Sequence, residues 1–394
     1  MCAVQPGPVR FHSLGAGITF YIMRATSLPG LGRSVGVLLV VLCACGGSDS
    51  VADRAAIEQR TAQAVTVPPP SRGLDSLLLE QAFASAAALP RLHSLLVARH
   101  GELVREEYFS GPGRGGRANI KSASKSIISA LVGIAIEEGH LAGLDQRVAP
   151  FFPALIPDDA DPRLREITIG NLLSMQAGLE PTSGRNYGQW VTSRNWVRFA
   201  LTRPFADDPG GRMQYSTGSS HLLSAILTQA TGMSTLEYAR SRLARPLGIE
   251  LAAWPRDPQG VYFGGNDMYL RPADLLKFGE MYRNGGRHEG AQIVPEEWIR
   301  QSWVRRTSSR YNGHGYGLGW WMRSARGHDI YFAWGYGGQY AFLVPSLELT
   351  IVTTSDAVSP REGDHNRALH RLVTDLLIPA AEQGDAVVSP AGAS

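Results

Sequence analysis

Strand-like segments lie near both ends of this chain and a long, mainly helical stretch separates them, which constrains the fold more than any other feature. His93 to Ala98 and Glu102 to Phe109 alternate in the manner of two strands of a hairpin turned at His100-Gly101. Ile330 to Ala333, Gln339 to Val344 and Leu347 to Thr354 read as strands near the other end. Between them, about 140–325 is mainly helical with many loops, and Asn171 to Met175, Asn195 to Leu201, Ser219 to Thr231 and Leu236 to Arg242 have helical patterns. Leu74 to Leu89 and a final stretch, about 366–381, also read as helices. The expectation is an α+β fold: one antiparallel sheet built from both termini, flanked by helices, with a helical insertion. No repeat occurs at solenoid spacing. A length of 394 residues, 44% hydrophobic and 19% charged, suits one large domain spanning 74–385.

The first segment reads differently. Met23-Arg24 opens a basic stretch that includes Arg33, and the apolar run Val35 to Leu42 is too short for an ordinary membrane span. Leu42-Cys43-Ala44-Cys45-Gly46 follows in the pattern of a lipobox, where cleavage precedes a lipid-bearing cysteine; a plain signal peptide is the alternative. The expectation is an export signal over 1–45, with Met23 a candidate start, and a periplasmic protein anchored by lipid on Cys45. A small, polar linker with Pro68-Pro69-Pro70 covers 46–73, and 386–394 is a tail. The three cysteines, Cys2, Cys43 and Cys45, all fall in the leader, so the domain is expected to hold no disulfide, thiolate nucleophile or cysteine metal site. The net charge of +3, without a basic patch interleaved with aromatics, argues against nucleic acid as a partner.

Two motifs mislead. Gly32-Arg33-Ser34-Val35-Gly36 matches a nucleophile elbow but lies in the export signal. Gly111-Pro112-Gly113-Arg114-Gly115-Gly116 matches a dinucleotide-binding loop, yet no parallel strand–helix–strand unit with a following acidic residue surrounds it. No metal-ligand spacing such as H-E-x-x-H occurs, and neither metal nor organic cofactor is expected.

Chemistry concentrates in Ser122-Ala123-Ser124-Lys125, at the start of a helix expected from Ser122 to Glu138, with Ile127, Leu131, Ile134 and Ala135 at helical spacing. Residues i and i+3 share a helix face, so hydroxyl and amine can meet. A serine needs a base to become a nucleophile, and a lysine serves as one only if burial or a neighbouring charge lowers its pKa. Tyr215-Ser216-Thr217 precedes another helix; a tyrosine there can shuttle a proton. Ala333-Trp334-Gly335-Tyr336-Gly337-Gly338-Gln339 places glycines at a strand edge, where a substrate can approach the backbone. A backbone N–H in that stretch could join the N–H of Ser122 in an oxyanion hole.

The order S-x-x-K, then Y-x-x about ninety residues on, then a Gly-rich strand edge resembles the serine β-lactamase and penicillin-binding-protein superfamily. The likeness is to its class C-like branch of esterases, D-aminopeptidases and 6-aminohexanoate-dimer hydrolases. Ser126 to Ala135, Leu172 to Leu179, Tyr215 to Leu223 and Pro272 to Gly279 extend it over about 90–380. The resemblance implies a β-lactamase/transpeptidase-like fold, Ser122 as nucleophile, Lys125 and Tyr215 in proton transfer, and an oxyanion hole from the N–H groups of Ser122 and Tyr336. Thr217 replaces an asparagine often found in the second motif, and Ala333-Trp334-Gly335 replaces Lys/His-Thr-Gly. The missing cation would hold a penicillin's carboxylate, so a small ester or linear amide is the expected substrate. A β-lactamase, a D-amino-acid peptidase and a non-catalytic binder of cell-wall peptide remain alternatives. Tyr187, Asn266, Trp334 and Gly335 are candidate substrate contacts, Trp190 a wall or core residue, and His221 a structural histidine.

Overall fold

In the computed structural model the described residues are 73–358 and 362–388. The export signal, Cys45, linker residues 46–72 and the tail beyond 388 lie outside them.

An eight-stranded antiparallel sheet is the frame. Its strands are β1 (Leu92–Arg99), β2 (Glu102–Tyr108), β3 (Thr307–Ser308), β4 (Gly315–Tyr316), β5 (Trp321–Ala325), β6 (His328–Gly335), β7 (Gln339–Val344) and β8 (Leu349–Ser355). The order is β2-β1-β8-β7-β6-β5-β4-β3, so the first strand pairs with the last, β1 with β8, second and third from one edge of the sheet. His100 and Gly101 both have positive φ (53° and 81°), as the tight turn between β1 and β2 demands.

Short strands interrupt the mainly helical stretch: β3, β4 and β5 fall inside 140–325, and β5 pairs with β6, Phe332 opposite Trp321. The turn joining them is Arg326-Gly327, with φ of 53° and 82°. That turn has the backbone of the His100-Gly101 turn without an Asn-Gly or Asp-Gly signature, and the polar Arg323-Ser324 weakens the strand pattern.

Side-chain alternation gives the sheet two buried faces. Leu96, Ala98, Ala333 and Ala341 face the helical insertion. Leu95, Val97, Phe332 and Phe342 face helix α1 (Ser76–Ala87) and the C-terminal helices. Asp75 caps α1 by accepting the Leu78 N–H at 2.8 Å. Helix α2 (Ser124–Glu137) is buried on every side from Ser124 to Ala135. Gly133 admits the Trp298 indole against it, which a Cβ would block. Helix α3 (Thr217–Thr231) packs beside α2 and ends at Gly232, whose φ of 68° supplies the left-handed cap.

Ser122 does not begin the α-helix as expected. It lies in a 3-10 turn, Lys121–Ala123, that leads into α2. Lys121 has φ 50°, a left-handed conformation, and its N–H is held by Asn119 Oδ1 at 2.9 Å. A left-handed residue cannot open an α-helix, so helical bonding starts after it. Among the described residues no helix is long and apolar enough to cross a membrane.

Candidate active site

Three separate segments converge on the Ser122 turn. The first is α2 itself. Lys125 lies one turn on, and its Nζ is 3.0 Å from Ser122 Oγ. The amine is 3% exposed and burial lowers its pKa to about 7, against an opposing pull from Asp267.

The second is the start of α3. Lys125 Nζ donates to Thr217 Oγ1 at 3.3 Å. Thr217 in turn shares a 2.9 Å hydrogen bond with Ser183 Oγ, which also accepts the Thr217 N–H. The threonine therefore puts a hydroxyl on the lysine, where the related pattern often has an asparagine. Tyr215 precedes this helix, and its ring centroid is 5.2 Å from Lys125 Nζ. Burial pushes the phenol up to about 12, and contact with the Ser122 hydroxyl pulls it back. Its ring packs 5.5 Å from Trp321 and 6.2 Å from Tyr316.

The third is the loop at 264–267. Gly265 C=O accepts from Lys125 Nζ at 2.6 Å. A Cβ on Gly265 would sit 2.8 Å from Ser220 Cβ and 3.2 Å from Lys125 Nζ, so only glycine brings this carbonyl so near. Asn266 Nδ2 donates to Tyr187 Oη at 3.0 Å, which brings these two predicted residues together. Asp267 accepts from Lys121 Nζ at 3.0 Å and from Asn119 Nδ2 at 2.7 Å. Beneath the loop, Gly264 N–H donates to His221 Nδ1 at 3.4 Å, and His221 Nε2 lies 3.0 Å from Asp257 Oδ2. Both side chains are fully buried. Trp190, Trp196 and Phe263 box the imidazole, with ring centroids 5.4–6.0 Å away. Trp190 is thus core, and His221 supports the loop from behind.

The strand edge completes the site. Gly335 ends β6 against the Ile120 carbonyl, where a Cβ would collide. That close approach sets residues 336–338 beside the Ser122 turn. Tyr336 is half-exposed, and among the described residues its N–H donates to no acceptor. The Trp334 side chain packs on Trp321 (5.3 Å) and Tyr340 (5.9 Å), joining the aromatic group behind Tyr215.

The hydrogen-bonding capacities allow one proton path. Gly265 C=O can only accept, so it holds one amine N–H. Thr217 Oγ1 takes a second. A neutral lysine then has its lone pair free for the Ser122 hydroxyl proton. Sequence reasoning had Thr217 only as a departure from a pattern, and it missed Gly265, Ser183 and Asp267. The Gly264-Gly265 pair beside Asn266 was the one visible signal. Among the described residues no group of three or more His, Cys, Asp or Glu could hold a metal ion.

Known proteins resemble this chain in sequence and in fold. The family profile described as Beta-lactamase matches residues 79–375. A 6-aminohexanoate-dimer hydrolase from Paenarthrobacter ureafaciens is 24% identical over 321 residues, 75% of this chain and 79% of that protein. Among solved structures, EstCE1, a hydrolase with promiscuous acyltransferase activity, superposes with a TM-score of 0.62 at 19% identity, covering 75% of this chain and 98% of that one. The octameric penicillin-binding protein homologue from Pyrococcus abyssi gives 0.60 at 18% identity, covering 78% of each chain.

Proposed function

The chain belongs to the β-lactamase family, and from that premise we propose that it is a serine hydrolase acting through an acyl-enzyme on a small ester or linear amide. One observation carries the reading: a buried amine with a pKa near 7 stands 3.0 Å from a serine hydroxyl. An ordinary lysine, with a pKa near 10.4, would be almost wholly protonated at neutral pH and unable to accept. Tyr215 is protonated in the same range and serves as a donor rather than the base.

In the first step Lys125 takes the Ser122 proton as Oγ bonds to the substrate carbonyl carbon. The N–H groups of Ser122 and Tyr336 hold the developing oxyanion. Collapse breaks the carbonyl–leaving-group bond, and Tyr215 or Lys125 protonates the departing oxygen or nitrogen. Water then enters and gives a proton to Lys125 as its oxygen bonds to the acyl carbon; the bond to Ser122 Oγ breaks, Oγ takes that proton back, and the acid is released. EstCE1 is named as a hydrolase with promiscuous acyltransferase activity, and the Paenarthrobacter relative as a 6-aminohexanoate-dimer hydrolase. Both names fit this substrate class. No cation stands at 333–335 to hold a penicillin's carboxylate, and Lys121 is already paired with Asp267.

The test is a p-nitrophenyl ester burst with a mass shift on the Ser122 peptide, run beside Ser122→Ala. Wild-type turnover in Ser122→Ala would end the proposal. A binder without catalysis would show no burst. Nitrocefin hydrolysed as fast as good esters would return the reading to a β-lactamase.

A further inference from the structure

The turn that carries the Tyr336 N–H contains two glycines with positive φ, Gly337 at 88° and Gly338 at 104°. Glycines leave a turn free to move, yet an oxyanion donor acts only when held in place. Four buried side chains beneath the turn, Gln339, Thr353, Ser355 and His365, supply the restraint. The Gln339 amide bonds twice to the Ser355 backbone: Oε1 accepts its N–H at 3.1 Å, and Nε2 donates to its C=O at 2.7 Å. The Gly338 carbonyl accepts from Thr353 Oγ1 at 3.0 Å and from Ser355 Oγ at 3.2 Å. His365, on the C-terminal helix Glu362–Arg371, places Nε2 3.0 Å from Ser355 Oγ.

The donors can be counted. A carbonyl only accepts, so the single Ser355 hydroxyl proton goes to Gly338. The Ser355 oxygen must then accept, and His365 must carry its proton on Nε2. Burial, with Arg91 and His93 adding to it, lowers the His365 pKa to about 4, so the imidazole stays neutral at ordinary pH. The packing leaves no slack: a Cβ on Gly338 would lie 2.8 Å from both His365 Nε2 and Ser355 Oγ.

We infer that His365 is a positioning residue for acyl transfer, acting through Ser355 and Gly338 to fix the turn that aims the Tyr336 N–H at the oxyanion. The inference rests on the oxyanion role given to Tyr336 above. His365 touches the turn and none of Ser122, Lys125 or Tyr215, so its removal should weaken transition-state binding and leave ground-state binding alone.

The experiment compares His365→Leu, His365→Gln and Ser355→Ala with wild type on a p-nitrophenyl ester. It measures kcat, KM, melting temperature and the affinity of a boronic acid that mimics the tetrahedral adduct. Loss of one oxyanion donor costs about 100- to 1,000-fold, so a displaced one is expected to cost about 10- to 100-fold in kcat. KM should stay within about twofold, boronate affinity should fall in step with kcat, and His365→Gln, which keeps an N–H near the Nε2 position, should recover most of both. Unchanged kcat in a folded His365→Leu overturns the inference. So does a loss that follows melting temperature and is not recovered by glutamine. If His365→Leu does not fold, Ser355→Ala decides in its place: a folded variant with unchanged kcat overturns the inference. A wild type that shows no adduct on Ser122 overturns the acyl-enzyme reading and this inference with it, and the mass spectrum tells that failure from the others.

Discussion

Two glycine pairs wall the site, and each rests on a buried histidine, but the two are held by different forces. Beneath Gly264-Gly265, His221 joins a fully buried carboxylate, Asp257, inside an aromatic box. Beneath Gly337-Gly338, His365 bonds to a serine hydroxyl and has the Arg91 cation, not a carboxylate, for its charged neighbour. The first wall grips Lys125 through the Gly265 carbonyl, and burial with the nearby Asp267 charge governs its protonation. In the proposed mechanism the second offers the Tyr336 N–H to charge that exists only in the transition state. A base needs an environment that controls protonation, and an oxyanion donor needs only a fixed direction. A hydrogen bond to a buried carboxylate anchors the one, and hydrogen bonds among neutral groups suffice for the other.

The largest break is on the base side. Lys125→Met should cut kcat/KM on esters by about 100- to 10,000-fold, the range expected for general-base catalysis. Steady-state kinetics on the variant checks this, and a loss of under tenfold would hand the base role to another group. Next, the two anchors can be compared directly by thermal or urea unfolding. His221→Leu strips a hydrogen bond from the buried Asp257 carboxylate and should cost about 2–3 kcal/mol. His365→Leu removes a bond to a neutral hydroxyl and should cost about 1 kcal/mol. If the second proved the more damaging, the contrast between the walls would be wrong.

pH sharpens the same comparison. Activity needs neutral Lys125, so kcat/KM should rise with pH through about 7 and show no fall from Tyr215 until strongly alkaline conditions, since that phenol lies near 12. The stability sign follows from the same shift. The folded lysine titrates near 7 and the unfolded one near 10.5, so between those values the unfolded chain binds more protons. This group's contribution therefore makes stability rise with pH across that window. Urea titrations at pH 7 and 9, on wild type and Lys125→Met, isolate it. The smallest effect is expected from Asp267→Asn. Asp267 raises the Lys125 pKa, so removing its charge should move the rising limb to lower pH, by less than about one unit. A limb that moves upward would refute the assigned sign.

Local features of the site were legible because local hydrogen bonding leaves a periodic trace in sequence. The three-residue spacing of Ser122 and Lys125, Tyr215 just ahead of a helix, and the tight turn at His100-Gly101 each depend on neighbours along the chain. So did the strands at both ends, from which a sheet joining the termini followed. What tertiary structure alone decided is carried by backbone atoms or by partners far away in sequence. Gly265 reaches Lys125 across 140 residues through a carbonyl, a group every residue has, so nothing in the sequence marks it. Asp257 and His221, or Ser355 and His365, are ordinary polar residues until folding buries them together. The sequence by itself determined the proposed reacting pair, Ser122 and Lys125. Only the fold decided which protonation states that pair adopts, because a pKa depends on desolvation and on charges brought near in space.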